Sequence, residues 1–272
     1  MISFICAKNC KLSKYVCENV EGLPYGTIKK LLREKSVKVN GRRVKEDVLL
    51  CPNDLVEIYY KVPEKSKFDE LYIDKNILVV FKKVGFTSEV LFEDVVKKYP
   101  TACFVHRLDR NTSGIMVFPL TKIAEEEFLL GFKKRTFIKT YTARVKGVMP
   151  KKSDVLTHYL IKDSESATVK IYNKKVKGST LIKTGYSVIE SDQKTSLLSV
   201  NLYTGKTHQI RAHLAYIGNP IVGDGKYGDN AFNKEYGALK QLLCATELKL
   251  VFNKESSLYY LNGKSFNVKV DF

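Results

Sequence analysis

The stretch His106-Arg107-Leu108-Asp109-Arg110-Asn111-Thr112-Ser113-Gly114 runs straight into the apolar segment Ile115-Met116-Val117-Phe118. The apolar segment reads as a buried strand, and the small residues Thr112, Ser113 and Gly114 let the chain turn closely into it. Asp109 is therefore expected on a loop at a strand edge, flanked by His106, Arg107 and Arg110. Opposite charge within a few ångströms favours an ionised carboxylate, and an ionised carboxylate is what covalent attack on carbon requires. Asp109 is the candidate nucleophile, weighed against the plainer role of an aspartate that caps a turn.

Downstream, Thr121 is placed to cap a helix whose apolar stripe is Ala124, Phe128 and Phe132. Phe137, Tyr141, Ala143 and Val145 follow with the period of one strand face, with Lys139 interposed. Segments 181–190 and 195–203 read as paired strands around Ser191-Asp192-Gln193-Lys194. His208, Ile210, Ala212, Leu214 and Ala215 suggest a helix ended by Gly218, with Pro220 beyond. Within it Arg211 has Leu214 and Ala215 one turn on, so its guanidinium faces partly apolar surroundings and calls for a carboxylate partner. Upstream, 77–81 is an apolar strand followed by a turn at Lys82-Lys83-Val84-Gly85, and 248–252 and 266–270 add two more strands. This pattern predicts an α+β domain with a mixed, mainly antiparallel sheet over residues 71–272.

Residues 1–62 read as a module of their own. Leu12, Tyr15, Val16 and Val20 recur at helical spacing, as do Ile28, Leu31 and Leu32, while Lys29, Lys30, Arg33 and Lys35 fall largely off the apolar stripe. Gly22, Pro24 and Gly26 are expected to break the pattern between the two helices. Val37-Lys38-Val39-Asn40-Gly41-Arg42-Arg43-Val44 alternates around Asn-Gly, the pair best suited to the positive φ angles of a tight hairpin. Pro52-Asn53-Asp54 then turns into a closing strand over 55–59. Two helices, the Val-Asn-Gly hairpin and a late Asn-Asp before a strand resemble the S4 RNA-binding domain. That likeness implies that Lys29, Lys30, Arg33, Arg42 and Arg43 grip RNA phosphates. The polar residues after Pro63 are expected to form a linker, 63–70.

The chain of 272 residues carries a net charge of +17. Twelve basic and seven acidic side chains fall in residues 1–63, which leaves a surplus of 12 for the remainder. Both parts are basic, as expected of a broad phosphate-binding face rather than of a single charged tail. No apolar run approaches the roughly 18 residues of a membrane-spanning helix, and Ile2 to Ala7 lacks the features of a secretory signal, so the cytoplasm is the expected location. The six cysteines form no Cys-x-x-Cys pair and no metal-ligand spacing, so no metal is expected. No glycine-rich phosphate loop is present, which argues against a nucleotide cofactor.

His-Arg-Leu-Asp-Arg-x-Thr-Ser-Gly at 106–114 resembles the catalytic signature of the RNA pseudouridine synthases that act on large-subunit ribosomal RNA or transfer RNA. The likeness continues in Lys139-Thr140-Tyr141-Thr142-Ala143, in Gly205-Lys206-Thr207-His208-Gln209-Ile210-Arg211-Ala212-His213-Leu214, and in Gly218-Asn219-Pro220-Ile221-Val222-Gly223-Asp224. Lys83 stands where that family usually has proline, and Lys206 where it more often has arginine. The resemblance implies isomerisation of uridine to pseudouridine with no cofactor. Asp109 would attack either ribose C1′ or uracil C6, Arg211 would pair with it, and Tyr141 would supply an aromatic platform. His106, Arg107, Arg110, Thr112, Lys139, Lys206 and His208 would contact the extruded nucleotide or its neighbours, because a stacked uridine hides its glycosidic bond. Ribosomal RNA is the first expected partner and transfer RNA the second, with the chain acting as a monomer.

Overall fold

The computed structural model describes residues 1–20, 23, 25–60, 66–163 and 167–272. Two compact units are present, Met1–Lys65 and Ser66–Phe272.

In the first unit the elements are β1 (Ile2–Ile5), β2 (Cys10–Lys11), α1 (Leu12–Asn19), α2 (Tyr25–Arg33), β3 (Val37–Val39), β4 (Arg42–Arg43), β5 (Leu49–Leu50) and β6 (Leu55–Ile58). A four-stranded sheet runs β1-β6-β3-β4, and β2 pairs with β5. Leu12, Tyr15 and Val16 from α1 and Ile28, Leu31 and Leu32 from α2 share one core with Val37, Leu50, Val56 and Ile58. The hairpin turns as the sequence requires, with φ of 49° at Asn40 and 77° at Gly41. Asn40 also accepts from the Leu55 N–H at 2.9 Å and donates to Asp54 at 2.7 Å, tying the hairpin to the turn before β6.

Sequence reasoning passed over β1, a four-residue edge whose side chains are only alternately half-buried. Gly22 and Pro24 lie outside the described residues. Gly26 does not break the pattern: it lies in the first turn of α2, which starts earlier than its apolar stripe suggests. Lys29, Lys30, Arg33, Arg42 and Arg43 are all exposed.

The second unit holds β7 (Phe68–Ile73), β8 (Ile77–Lys82), α3 (Ser88–Lys98), β9 (Ser113–Pro119), α4 (Lys122–Lys134), β10 (Ile138–Lys146), β11 (Ser153–Asp163), β12 (Thr168–Tyr172), β13 (Thr180–Ser191), β14 (Thr195–Leu202), α5 (Gln209–Tyr216), α6 (Asn230–Tyr236), β15 (Leu243–Lys249) and β16 (Ser265–Asn267). Nine strands run β12-β11-β13-β14-β10-β15-β9-β8-β7, with β16 added on β15. The β9–β15 pair is parallel and the other neighbours are antiparallel, so the α+β class with a mainly antiparallel sheet holds. Phe68–Glu70, placed in the linker by sequence, are paired in β7, while residues 61–65 lie outside the description.

Buried cores cover both sheet faces. One collects Leu91 and Val95 of α3, Ile210 and Leu214 of α5, and Tyr141, Ala143 and Val145 of β10. Another collects Ala124 and Phe128 of α4 with Phe137, Phe252 and Leu261. Phe137 was expected to share a face with Tyr141. It lies in the bend before β10 and turns under α4, within 5.3 Å of the Phe128 and Phe252 rings. The last strands are also shifted from 248–252 and 266–270. Leu250 and Phe252 are buried from irregular chain, so the apolar run outlasts the strand. Among the described residues no helix is long and apolar enough to cross a membrane.

Candidate active site

The loop before β9 is held by main-chain bonds, so its one carboxylate has a defined place. Ser88, at the start of α3, donates to the Leu108 carbonyl and accepts from the Leu108 N–H, each at 2.9 Å. Gly85 N–H donates to Arg110 O at 2.9 Å, and Arg110 Nε returns a bond to Gly85 O at 2.9 Å. Beneath them Lys82 is fully buried, and its Nζ donates to the carbonyls of Thr112 (2.8 Å), Arg110 (3.2 Å) and Lys83 (3.2 Å). Burial lowers this ammonium to about 8, against the pull of the Asp109 charge. Gly114 then enters β9 at φ +129°, where a Cβ would fall 2.4 Å from the Ala245 carbonyl oxygen. Only glycine fits this parallel crossing.

Asp109 meets its charge partner across 102 residues of chain. Arg211, from α5, donates through Nη1 to Asp109 Oδ2 at 3.1 Å. The same guanidinium makes a two-pronged pair with Asp224, Nε to Oδ2 at 2.7 Å and Nη2 to Oδ1 at 2.9 Å. Burial works to raise the Asp224 carboxyl, but Arg211 and the N–H groups of Lys226 and Tyr227 outweigh it and hold that carboxyl below its usual range. Burial likewise works against the Arg211 charge, and the two carboxylates more than offset it. A guanidinium can hold one carboxylate with two donors and still present a third to another, which lysine cannot do.

Tyr141 projects from β10 into the same cleft, and its phenol is pushed well up by burial, with the Asp109 charge adding to the effect. The cleft encloses about 480 Å³, with Asp109 and Tyr141 among its lining residues. Arg107, Lys133, Arg135, Lys139 and Lys206 also line it, and Asp109 is the one carboxylate among its described lining residues. A second hollow of about 460 Å³ meets it at Asp109 and is bordered by Arg110, His208, Arg211 and Lys226. A low-dielectric floor under a ring of cations suits a polyanion that brings one neutral base to the carboxylate.

Asp109, Tyr141, Arg211, His106, Arg107, Lys139, Lys206 and His208 thus border connected hollows. Three placements differ from the local reading of the motif. Arg107 pairs with Glu89 at 3.0 Å. Arg110 donates from Nε to Gly85 O. His106 is lowered to about 3 by burial, then by Lys139, and its Nε2 accepts the Val117 N–H at 3.0 Å. The cation that touches Asp109 is therefore the distant Arg211, because the loop turns its neighbouring residues outward or into the fold. Thr112 is buried with its hydroxyl accepting from Gln241 at 3.0 Å, so it supports the loop. His208 lies 3.8 Å from Asp109, with Nδ1 2.9 Å from the Tyr227 hydroxyl. Lys29, Lys30, Arg33, Arg42 and Arg43 belong to the other unit.

Sequence reasoning missed Asp224, Lys82 and Tyr227 as parts of this site. The Gly218–Asp224 segment held a signal for the first, since a partly buried arginine carries more N–H donors than one carboxylate can reach. The Tyr227 ring, 5.2 Å from the Arg211 guanidinium, had none.

An open mixed sheet with a carboxylate, a buried arginine and a tyrosine around connected cationic hollows is the arrangement that the resemblance to the RNA pseudouridine synthases calls for. The family described as RNA pseudouridylate synthase matches residues 86–216. Ribosomal large subunit pseudouridine synthase C of Pasteurella multocida is 30% identical over 250 residues, covering 83% of this chain and 76% of its own. The enzyme of the same name from Vibrio vulnificus is 30% identical over 268 residues, covering 88% and 84%. The solved human RNA Pseudouridylate Synthase Domain Containing 1 has the same fold, with a TM-score of 0.64 at 23% identity over 77% of this chain and 86% of that one. The chain belongs to the RNA pseudouridine synthase family and is an enzyme of that class.

Proposed function

We propose that this enzyme isomerises specific uridines of large-subunit ribosomal RNA to pseudouridine, with Asp109 as its nucleophile. The observation that carries the reading is the Arg211–Asp109 contact of 3.1 Å in a cleft that Tyr141 shares. The reaction breaks the N1–C1′ bond, turns the uracil and joins C5 to C1′, with one proton leaving C5 and one arriving at N1. Asp109 attacks C1′ or C6, and Arg211 keeps its free oxygen aimed. Tyr141, whose phenol keeps its proton at neutral pH, stacks on the uracil rather than acting as the base. Lys139, Lys206 and Arg107 hold flanking phosphates. The first unit, S4-like in sequence, anchors RNA through its exposed basic side chains. Support for ribosomal RNA as the substrate comes from the names of the relatives and from the charge of both units. We further propose that the protein acts as a monomer in the cytoplasm, for which light scattering should return the mass of one chain.

The test is to incubate 23S ribosomal RNA from cells lacking the protein with the enzyme, then map pseudouridine by carbodiimide labelling and primer extension. Wild type should add stops at discrete uridines that Asp109→Ala leaves absent. Identical traces from the two proteins would reduce the role to RNA binding. Free uracil in the reaction would indicate hydrolysis instead.

A further inference from the structure

Tyr203 is 46% exposed at the end of β14, on the wall of the cleft that contains Asp109. The phenol end of its ring lies against Gly185 of β13, where a Cβ would meet Cε2 at 3.0 Å and the hydroxyl at 3.3 Å. Glycine inside a twelve-residue strand forgoes packing, and here its missing side chain leaves the seat on which the ring rests. Lys183 Nζ is 5.3 Å from the ring centroid. Among the described residues no other aromatic ring packs against Tyr203. The arrangement is a supported aromatic ring with a cation over it, opening onto a cleft of about 480 Å³.

We propose that Tyr203 is a stacking platform for the base next to the target uridine, with Lys183 at the phosphate that joins the two. This rests on the RNA reading above and names the subsite that positions the strand. Stacking of a base on an exposed aromatic is tolerant of sequence, so the platform holds the flanking nucleotide without selecting it. It therefore acts on binding and leaves the chemical step to Asp109.

The test uses short oligouridylates, each carrying a single 2-aminopurine whose fluorescence is quenched when it stacks. With wild type and with Tyr203→Phe, one position beside the bound uridine should be quenched. With Tyr203→Ala that quench should vanish, and KM on 23S ribosomal RNA should rise roughly 5- to 100-fold with kcat held within about twofold. Quenching by Tyr203→Ala equal to wild type at every position would overturn the proposal, as would a loss confined to kcat. Failure of the ribosomal reading would show separately, as absence of any converted uridine with wild type while the fluorescence comparison still reports on the platform.

Discussion

Replacing Asp224 by asparagine should unfasten Arg211. Asp224 is fully buried, and its Oδ1 accepts from Arg211 Nη2 and from the N–H groups of Lys226 (2.8 Å) and Tyr227 (3.1 Å). Oδ2 accepts from Arg211 Nε at 2.7 Å. Three donors at Oδ1 oblige the asparagine carbonyl to take that place, which leaves its NH2 facing the Nε–H of Arg211. One bond to a charged group, worth about 1.5–3 kcal/mol, is lost. With the guanidinium left half-compensated, the total cost should reach about 3–5 kcal/mol. At about 2–4 °C per kcal/mol for a unit of this size, the melting temperature of the 66–272 unit should fall by roughly 6–20 °C. Arg211 then pivots on its remaining carboxylate, and a displacement of about 1 Å at Asp109 should cost about 100-fold in single-turnover rate. Thermal unfolding and conversion of 23S ribosomal RNA measure the two effects. Arg211→Lys closes a double-mutant cycle in which the stability losses fall short of additive by about 0.5–3 kcal/mol, since both changes break one contact. An Asp224→Asn enzyme that melts within about 2 °C of wild type and turns over at the wild-type rate would refute the reasoning.

Lys82 sets a limit on the alkaline side. Its ammonium is lowered to about 8, whereas in the unfolded chain it titrates near roughly 10.4. Stability rises with pH across that window, because the unfolded chain then binds the extra proton. The rate should nonetheless fall above about pH 8 as the amine loses one of three donors under the Asp109 loop. Lys82→Met should lower the rate and flatten that limb, and a wild-type profile level from pH 7 to 10 would contradict the role. On the acid side His106, at about 3, and His213, at about 4, are held neutral by burial. The unfolded chain gains protons below about 6.5, so stability should drop toward pH 4 by up to about 1.4 kcal/mol per pH unit for each. Urea titrations that give His106→Gln the same acid slope as wild type would exclude that histidine as a source. Gly114→Ala should cost about 3–5 kcal/mol through its collision with the Ala245 carbonyl and the strain of its φ, and an unchanged urea midpoint would show that β9 and β15 can part.

Much of the fold was legible because its signals are local. Asn40-Gly41 carried its turn, Thr121 its cap on α4 at 3.3 Å from the Ala124 N–H, and Gly218 at φ +90° the end of α5. β7, β11 and β12 were not legible, since edge and half-exposed strands show little apolar period. Phe137 misled because alternation holds only inside a strand, and a bend precedes β10. In the site, Asp109, Tyr141 and Arg211 could be named from motifs, while Asp224 and Lys82 could not. Their roles exist only as contacts between segments far apart in sequence.

By itself the sequence determined the class of fold and the surplus of basic charge, because composition, periodicity and short motifs act over a few neighbouring residues. Tertiary structure alone decided which cation serves Asp109. Local charge pointed to Arg107, Arg110 and His106, yet the first pairs with Glu89, the second bonds Gly85 and the third is held neutral. Arg211 prevails because a buried guanidinium must satisfy its donors on carboxylates, and only the packing of α5 against the loop before β9 brings Asp109 and Asp224 to it together.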